Sequence, residues 1–229
     1  MDILNYFTNV DWVEIWQATN DTLIMLFMSL FFIVLLGLPL GVMLFLFSPR
    51  QMFEHKTIYS VLATIVNILR SVPFIILLIV MIPLTLHITW LVLEEPTSLG
   101  VAGAIPPLVV GTTPFFARLV ETALREVDRG IIEATQAMGA TTRQIIFKAV
   151  LPEAMPGIIA AITVTAITLV SYTAMAGVVG AGGLGDLSIR YGYQRFQTDV
   201  MIVTVVLLIV LVQVLQIIGD KLVVHFSRK

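Results

Sequence analysis

Apolar residues fall along the chain in long runs parted by short polar segments, at a length that suits helices crossing a lipid bilayer. A spanning helix needs about 20 mostly apolar residues. Leu23–Phe47 supplies one without a single charge. The stretch Ile58–Leu93 is too long for one straight crossing and carries Asn67, Arg70, Ser71 and Pro73 within it. Pro73–Leu93 is predicted to cross alone, with Ile58–Leu69 as a kinked extension or a helix lying against its neighbours at the inner interface. Further spans are predicted over Ala102–Leu124, Gly157–Val179 and Val200–Ile218. Before the first of the five, Ile3, Tyr6, Phe7, Val10 and Val13 recur at helical spacing with Trp12 and Trp16 beside them, which predicts a short amphipathic helix at the interface. The organisation read from this pattern is an extension over residues 1–20, a transmembrane domain over 21–219 with a polar loop at about 125–153, and a tail over 220–229.

Five crossings place the termini on opposite sides, and the basic residues choose between the two orientations. With the C-terminus inside, ten of the thirteen Lys and Arg residues lie in inner segments, including Arg50, Lys56, Arg118, Arg125, Arg129, Arg143, Lys148, Lys221, Arg228 and Lys229. Arg190 and Arg195 remain outside, and Arg70 falls within a span, where it must reach for the interface or face protein. The first 20 residues contain Asp2, Asp11 and Glu14 but no basic residue, so the expectation is an uncleaved first span with its N-terminus outside.

Composition agrees with a membrane class. Of 229 residues, 58% are hydrophobic and 12% charged, against roughly 25% charged in soluble domains. A net charge of −2 offers no basic face for nucleic acid. With no cysteine, the chain has no disulfide or thiolate metal site. His55, His87 and His225 stand singly, as polar loop or interface residues, so no metal site is expected. Gly183-Leu184-Gly185-Asp186 matches an intramembrane aspartyl protease motif, but such chemistry needs a second aspartate opposite the first. Asp21, Asp128, Asp199 and Asp220 all fall at span ends or in loops, so no catalytic residue is expected.

The polar loop carries the most informative pattern, EATQAMGATTRQIIFKAVLPEAMPG over Glu133–Gly157. Glu133–Met138 is predicted as helix and Gly139 as a left-handed turn. Thr141 or Thr142 caps a second helix to Ala149, before Pro152 forces a boundary. The segment resembles the cytoplasmic signature of bacterial ABC importer permeases. Glu133, Ala134, Gly139, Leu151 and Pro152 keep its register, while Thr135 and Ala149 replace the usual Ala and Ile. The resemblance implies that this loop, with Met138, Ala140 and Thr141 at its turn, docks on a separate ATPase subunit.

A closer likeness joins RSVPFIILL from Arg70, PFFARLVETALREV from Pro114, and SYTAMAGVVGAGGLGDL with RYGYQRF between Ser171 and Phe196. These resemble the methionine importer permeases, a likeness running from about Leu23 to the C-terminus. It implies an all-α polytopic fold of type I ABC permease architecture, with five transmembrane helices in the bacterial cytoplasmic membrane. It also implies a homodimer, two cytoplasmic ATPases holding ATP and Mg, an extracytoplasmic methionine-binding lipoprotein, and import of L- and D-methionine by alternating access. A permease for another small amino acid or peptide is the alternative within the class. An ion-coupled secondary transporter would need paired ionisable groups at mid-membrane or repeated halves, and only Arg70 comes near.

Independent of the likeness, Ser171–Gly185 is dominated by small residues that allow close backbone approach or leave a passage. Met175, unbranched and flexible, is a candidate plug for that passage or a filler of the bundle. Ser171, Tyr172, Asn67 and Ser71 are candidates to line the path or to bond across helices. Tyr191 and Tyr193 are expected as interface rings, Arg190 and Arg195 at a partner or lipid headgroups, and Arg118, Glu121 and Arg125 as ion pairs at i, i+3 and i+7.

Because the chain has no cysteine, orientation is open to single-cysteine labelling. Thr97→Cys is expected to react with an impermeant thiol reagent from outside and Arg143→Cys to be protected; the reverse pattern contradicts the N-out arrangement.

Overall fold

The computed structural model describes residues 9–49 and 51–227. The expected interfacial residues Ile3, Tyr6 and Phe7, and the basic residues Arg50, Arg228 and Lys229, lie outside that range. The described elements are helical: α1 Trp12–Phe47, α2 Lys56–Ser71, α3 Phe74–Val80, α4 Ile82–Leu93, α5 Gly100–Arg125, α6 Arg129–Ala137, α7 Thr142–Ile145, α8 Leu151–Glu153, α9 Met155–Gly177, α10 Gly183–Leu187 and α11 Thr198–Ser227. Turns of π-helix over Ile146–Val150 and Ser188–Tyr193 follow α7 and α10.

Among the described residues α1, α5, α9 and α11 are long and apolar enough to cross a membrane, and the broken pair α2–α3 makes a fifth if counted as one span. The interruption follows from two prolines. Pro73 has no N–H and drives Val72 out of helical geometry, parting α2 from α3. Pro83, in the first turn of α4, removes the donor that would have carried α3 onward, and Met81 at the joint takes φ −80°, ψ −5°. The stretch expected to cross as Pro73–Leu93 is therefore two helices rather than one.

Two expected boundaries vanish. Between Trp12 and Gly37 no residue breaks a helix, and the Asp11 carboxylate accepts from the N–H groups of Val13 (2.9 Å) and Glu14 (3.3 Å) as a cap. Hence α1 passes without a break through the division drawn at residues 20 and 21. At the other end α11 continues from Gly219 to Ser227, through most of the expected tail.

The described chain forms two compact units. The first takes its residues from Met1–Phe32, Val72–Gly111 and Ala166–Leu215. Its core packs Val10, Ile15 and Ala18 of the N-terminal part against Leu184, Leu187 and Val200. Thus Val10, expected on a lipid-facing amphipathic turn, is buried in protein. Tyr191 also packs against this core, between the guanidinium groups of Arg190 (4.9 Å) and Arg195 (4.4 Å). Cation–π stacking accounts for its position, so only Tyr193 is left as an exposed ring. Arg190 is itself held by Asp186 (3.0 Å) and Glu14 (3.4 Å).

The second unit takes its residues from Ile33–Ser71, Thr112–Thr165 and Gln216–Lys229. Leu44, Val66 and Ala117 form its core, with Leu40, Tyr59, Leu62 and Ala63 around them. Glu121 is 3% exposed. Its carboxylate meets Arg118 at 2.6 Å and Arg125 at 2.7 Å, one helical turn to either side. The Tyr59 hydroxyl donates to Glu121 (3.2 Å) and accepts from Arg125 (3.0 Å), while Arg118 reaches the Asn67 side-chain oxygen (3.1 Å). The expected ion pairs are thus part of a network tying α2 to α5. Arg70 lies over the Phe115 ring at 5.8 Å.

Removing the shared anion leaves two cations without their partner. Glu121→Ala is expected to cost about 3–5 kcal/mol, whereas Arg125→Ala, at a side chain 43% exposed, should cost under about 1 kcal/mol. Thermal unfolding of the purified variants in detergent separates the two; equal losses would contradict a central role for Glu121.

Candidate functional site

The polar loop is built by local signals. Asp128 caps α6 by accepting from the Gly130 N–H at 2.7 Å. On α6, Ile132 is buried while Glu133 and Ala134 face outward. The Thr135 hydroxyl donates back to the carbonyls of Ile131 (2.8 Å) and Ile132 (2.9 Å). This departure from the signature is therefore half-buried and turned away from the loop's outer face, as is Ala149. Gly139 takes φ +77° and has nothing within 4 Å of where a Cβ would stand. Backbone conformation alone, and not crowding, favours glycine there.

Thr141 caps α7 in a reciprocal box with Gln144: the Gln144 N–H reaches the Thr141 hydroxyl at 3.4 Å, and the Thr141 N–H reaches the Gln144 amide oxygen at 2.8 Å. Helix, left-handed turn and capped helix thus stand where the sequence placed them. The expected stop before Pro152 does not occur. Pro152 instead follows directly on the π-turn Ile146–Val150 within one helical run, and the chain turns at Ala154.

The outer face of this loop is apolar at its most prominent points. Met138 is 77% exposed and Phe147 62%, and large side chains that leave water only on meeting a partner are typical of contact surfaces. Phe147 borders a concavity of 450 Å³ with Thr141, Arg143, Gln144 and Lys148. The Arg143 guanidinium lies 6.0 Å from its ring. Sequence reasoning passed over Phe147 and read Arg143 only as an inner charge; their i, i+4 spacing was the available signal. Leu151 is half-buried and Pro152 exposed.

In the first unit, Ser171 and Met175 share an exposed face of α9, continued by Val178 one turn on. Met175 is 39% exposed. It does not fill a core within this chain. Tyr172 turns elsewhere and stacks on Phe74 with ring centroids 4.3 Å apart and planes within 1°. In the second unit, Asn67 and Ser71 share a face of α2, joined by a bond from the Ser71 hydroxyl to the Asn67 carbonyl (2.8 Å). The Asn67 side chain, a candidate for the path or for a bond across helices, accepts from Arg118 of α5. The five candidate path residues accordingly fall in two groups, Ser171, Tyr172 and Met175 on α9 and Asn67 and Ser71 on α2.

Apolar helices of spanning length, joined by a polar helix–turn–helix with an exposed apolar face, define a polytopic membrane protein. The chain belongs to the family of binding-protein-dependent transport system inner membrane components, whose model matches residues 33–229. It is 49% identical over 215 residues to the methionine import system permease protein MetP of Bacillus subtilis, covering 94% of each chain. It is 52% identical over 188 residues to the probable D-methionine transport system permease protein MetI of Vibrio cholerae, covering 82% of this chain and 81% of that one. The fold matches a chain of the inward-facing MetNI methionine ABC transporter with TM-score 0.88 and 46% identity, over 95% of this chain and 99% of the other. A chain of an amino acid ABC transporter solved with histidines shares the fold at TM-score 0.70 and 19% identity.

The Gly139 turn yields a test confined to the loop. Gly139→Val forces a β-branched residue to positive φ, at roughly 1–2 kcal/mol or more, whereas Gly139→Asn is tolerated there. Amide exchange of the peptides over residues 129–150 should quicken in the valine variant and stay near the parent rate in the asparagine variant. Equal protection in both would show that the turn does not need its left-handed residue.

Proposed function

We propose that this chain is the permease subunit of an ATP-driven importer that passes methionine, in L and D forms, across the bacterial cytoplasmic membrane. The observation that carries the reading is a likeness to methionine transport permeases over nearly the whole chain, with the helix–turn–helix of the ABC signature present inside it. In this reading two copies of the chain form the path, and each loop over Glu133–Pro152 seats on one of two ATPase subunits. Glu133, Ala134, Met138, Gly139, Ala140, Thr141, Leu151 and Pro152 make that seat, through the exposed face of α6 and the turn. ATP and Mg are held by the ATPases. A methionine-binding lipoprotein delivers substrate from outside, and the charge distribution supports an N-terminus on that side.

The work of hydrolysis reaches this chain as movement of the loop. A capped α7 running through the π-turn and α8 toward α9 is a stiff connection, and it carries that movement to the helix bearing Ser171 and Met175. Exposed in the single chain, Met175 meets its counterpart at the twofold axis, and two such side chains close an aperture that one cannot. Tyr172, Asn67 and Ser71 contribute to the walls.

Proteoliposomes holding the complete complex test this reading. Labelled methionine should accumulate only with ATP inside the compartment that carries the ATPases, and Met175→Ala should leak methionine without ATP while assembling normally. Uptake of other small amino acids in preference to methionine would overturn the substrate. A Met175→Ala complex with unchanged leak and a lowered melting temperature would overturn the gate.

A further inference from the structure

The N-terminal turns of α1 have no part in the loop or path described above, yet they are fastened to one segment at several points. That segment is α10, which is capped by Gly182 and begins at Gly183, two glycines at φ +78° and +82°. A glycine at the cap position offers no side chain to the first free N–H groups of the helix. The Leu184 N–H is met instead by the Thr22 hydroxyl at 2.9 Å, a bond across 162 residues of chain. Thr22 is 1% exposed, and its hydroxyl donates in turn to the Ala18 carbonyl at 2.9 Å. Both capacities of the hydroxyl are used. Around this bond, Ile15 and Ala18 of α1 share a core with Leu184 and Leu187 of α10.

What α10 touches on its other side gives the cap its meaning. A Cβ at Gly185 would collide with the backbone of Ala174, and one at Gly177 with the backbone of Gly185 and Asp186. Helix α10 therefore lies backbone to backbone against the last turn of α9, with no side chain between them to absorb a shift. Ala174 and Gly177 flank Met175 in sequence. A displacement of α10 passes directly into the turn that carries the methionine.

We propose that Thr22 is a positioning residue for the outer end of the path: by capping α10 from α1, it sets the α9 turn that presents Met175. The inference rests on the reading of Met175 as a gate and extends it to a residue that touches no substrate. Thr22→Val keeps the shape and removes the acceptor, leaving the buried Leu184 N–H unpaired; Thr22→Ser keeps the acceptor.

Two measurements on the assembled complex test it. Deuterium uptake in Thr22→Val should rise about tenfold both over residues 183–190 and over residues 171–178, and Thr22→Ser should restore the parent rates. ATP-independent methionine leak should rise with it. Faster exchange confined to 183–190 would reduce Thr22 to a local cap and overturn the proposal, as would parent-like exchange at both sites. Should Met175→Ala leak while Thr22→Val does not, the positioning role fails and the gate stands. Should Met175→Ala stay tight, the gate reading fails, and the 171–178 exchange still decides whether Thr22 positions that turn.

Discussion

A chain this apolar has one constraint that the rest of the structure answers to: wherever a helix stops at membrane depth, the freed backbone groups need partners that the bilayer does not supply. Long helices satisfy themselves, so the design concentrates at the breaks. At Val72–Pro73 and at Met81 the break is made by prolines, which surrender an N–H that would otherwise need a partner. Before α10 the break is made by glycines, and the N–H left over is met by a threonine from another helix. The buried carboxylate of Glu121 obeys the same rule for charge, since it is held by two guanidinium groups and a phenol rather than by water.

The breaks are also where movement is to be expected. A regular helix transmits a push along its axis but does not change shape; a turn held by one glycine or one capping bond does. The loop after α5 has both kinds of part, a stiff capped helix and a single left-handed residue. Its outer face exposes Met138 and Phe147, while Ile132, Ile145 and Val150 are buried in its own unit. The segment after α9 repeats the arrangement, with α10 as the stiff part and the glycines before it as the joint.

Much of this was legible in the sequence because the signals are local. The positions of the four long helices follow from apolar runs, the Gly139 turn and the Thr141 cap follow from residue type and spacing, and the ion pairs of Glu121 follow from i, i+3 and i+4 positions. What was missed depends on distant partners. Nothing near Thr22 announces a bond to Leu184, and nothing near Tyr59 or Asn67 announces Arg118 and Arg125. Tyr191 read as an interface ring because its two flanking arginines are visible in sequence only as charges. The division at residue 20 failed for the opposite reason: polar residues on α1 suggested an end, but a helix ends only where caps or breakers end it, and none occurs there.

The central claim is that two copies of this chain meet at Met175 and separate as the ATPases open and close. The absence of native cysteine makes that contact directly measurable with Met175→Cys in the assembled complex. Mild oxidation should join the two copies into one covalent dimer on a non-reducing gel, with the yield changing when nucleotide closes the ATPases. A complex that transports methionine yet gives no cross-link in any nucleotide state would contradict the account.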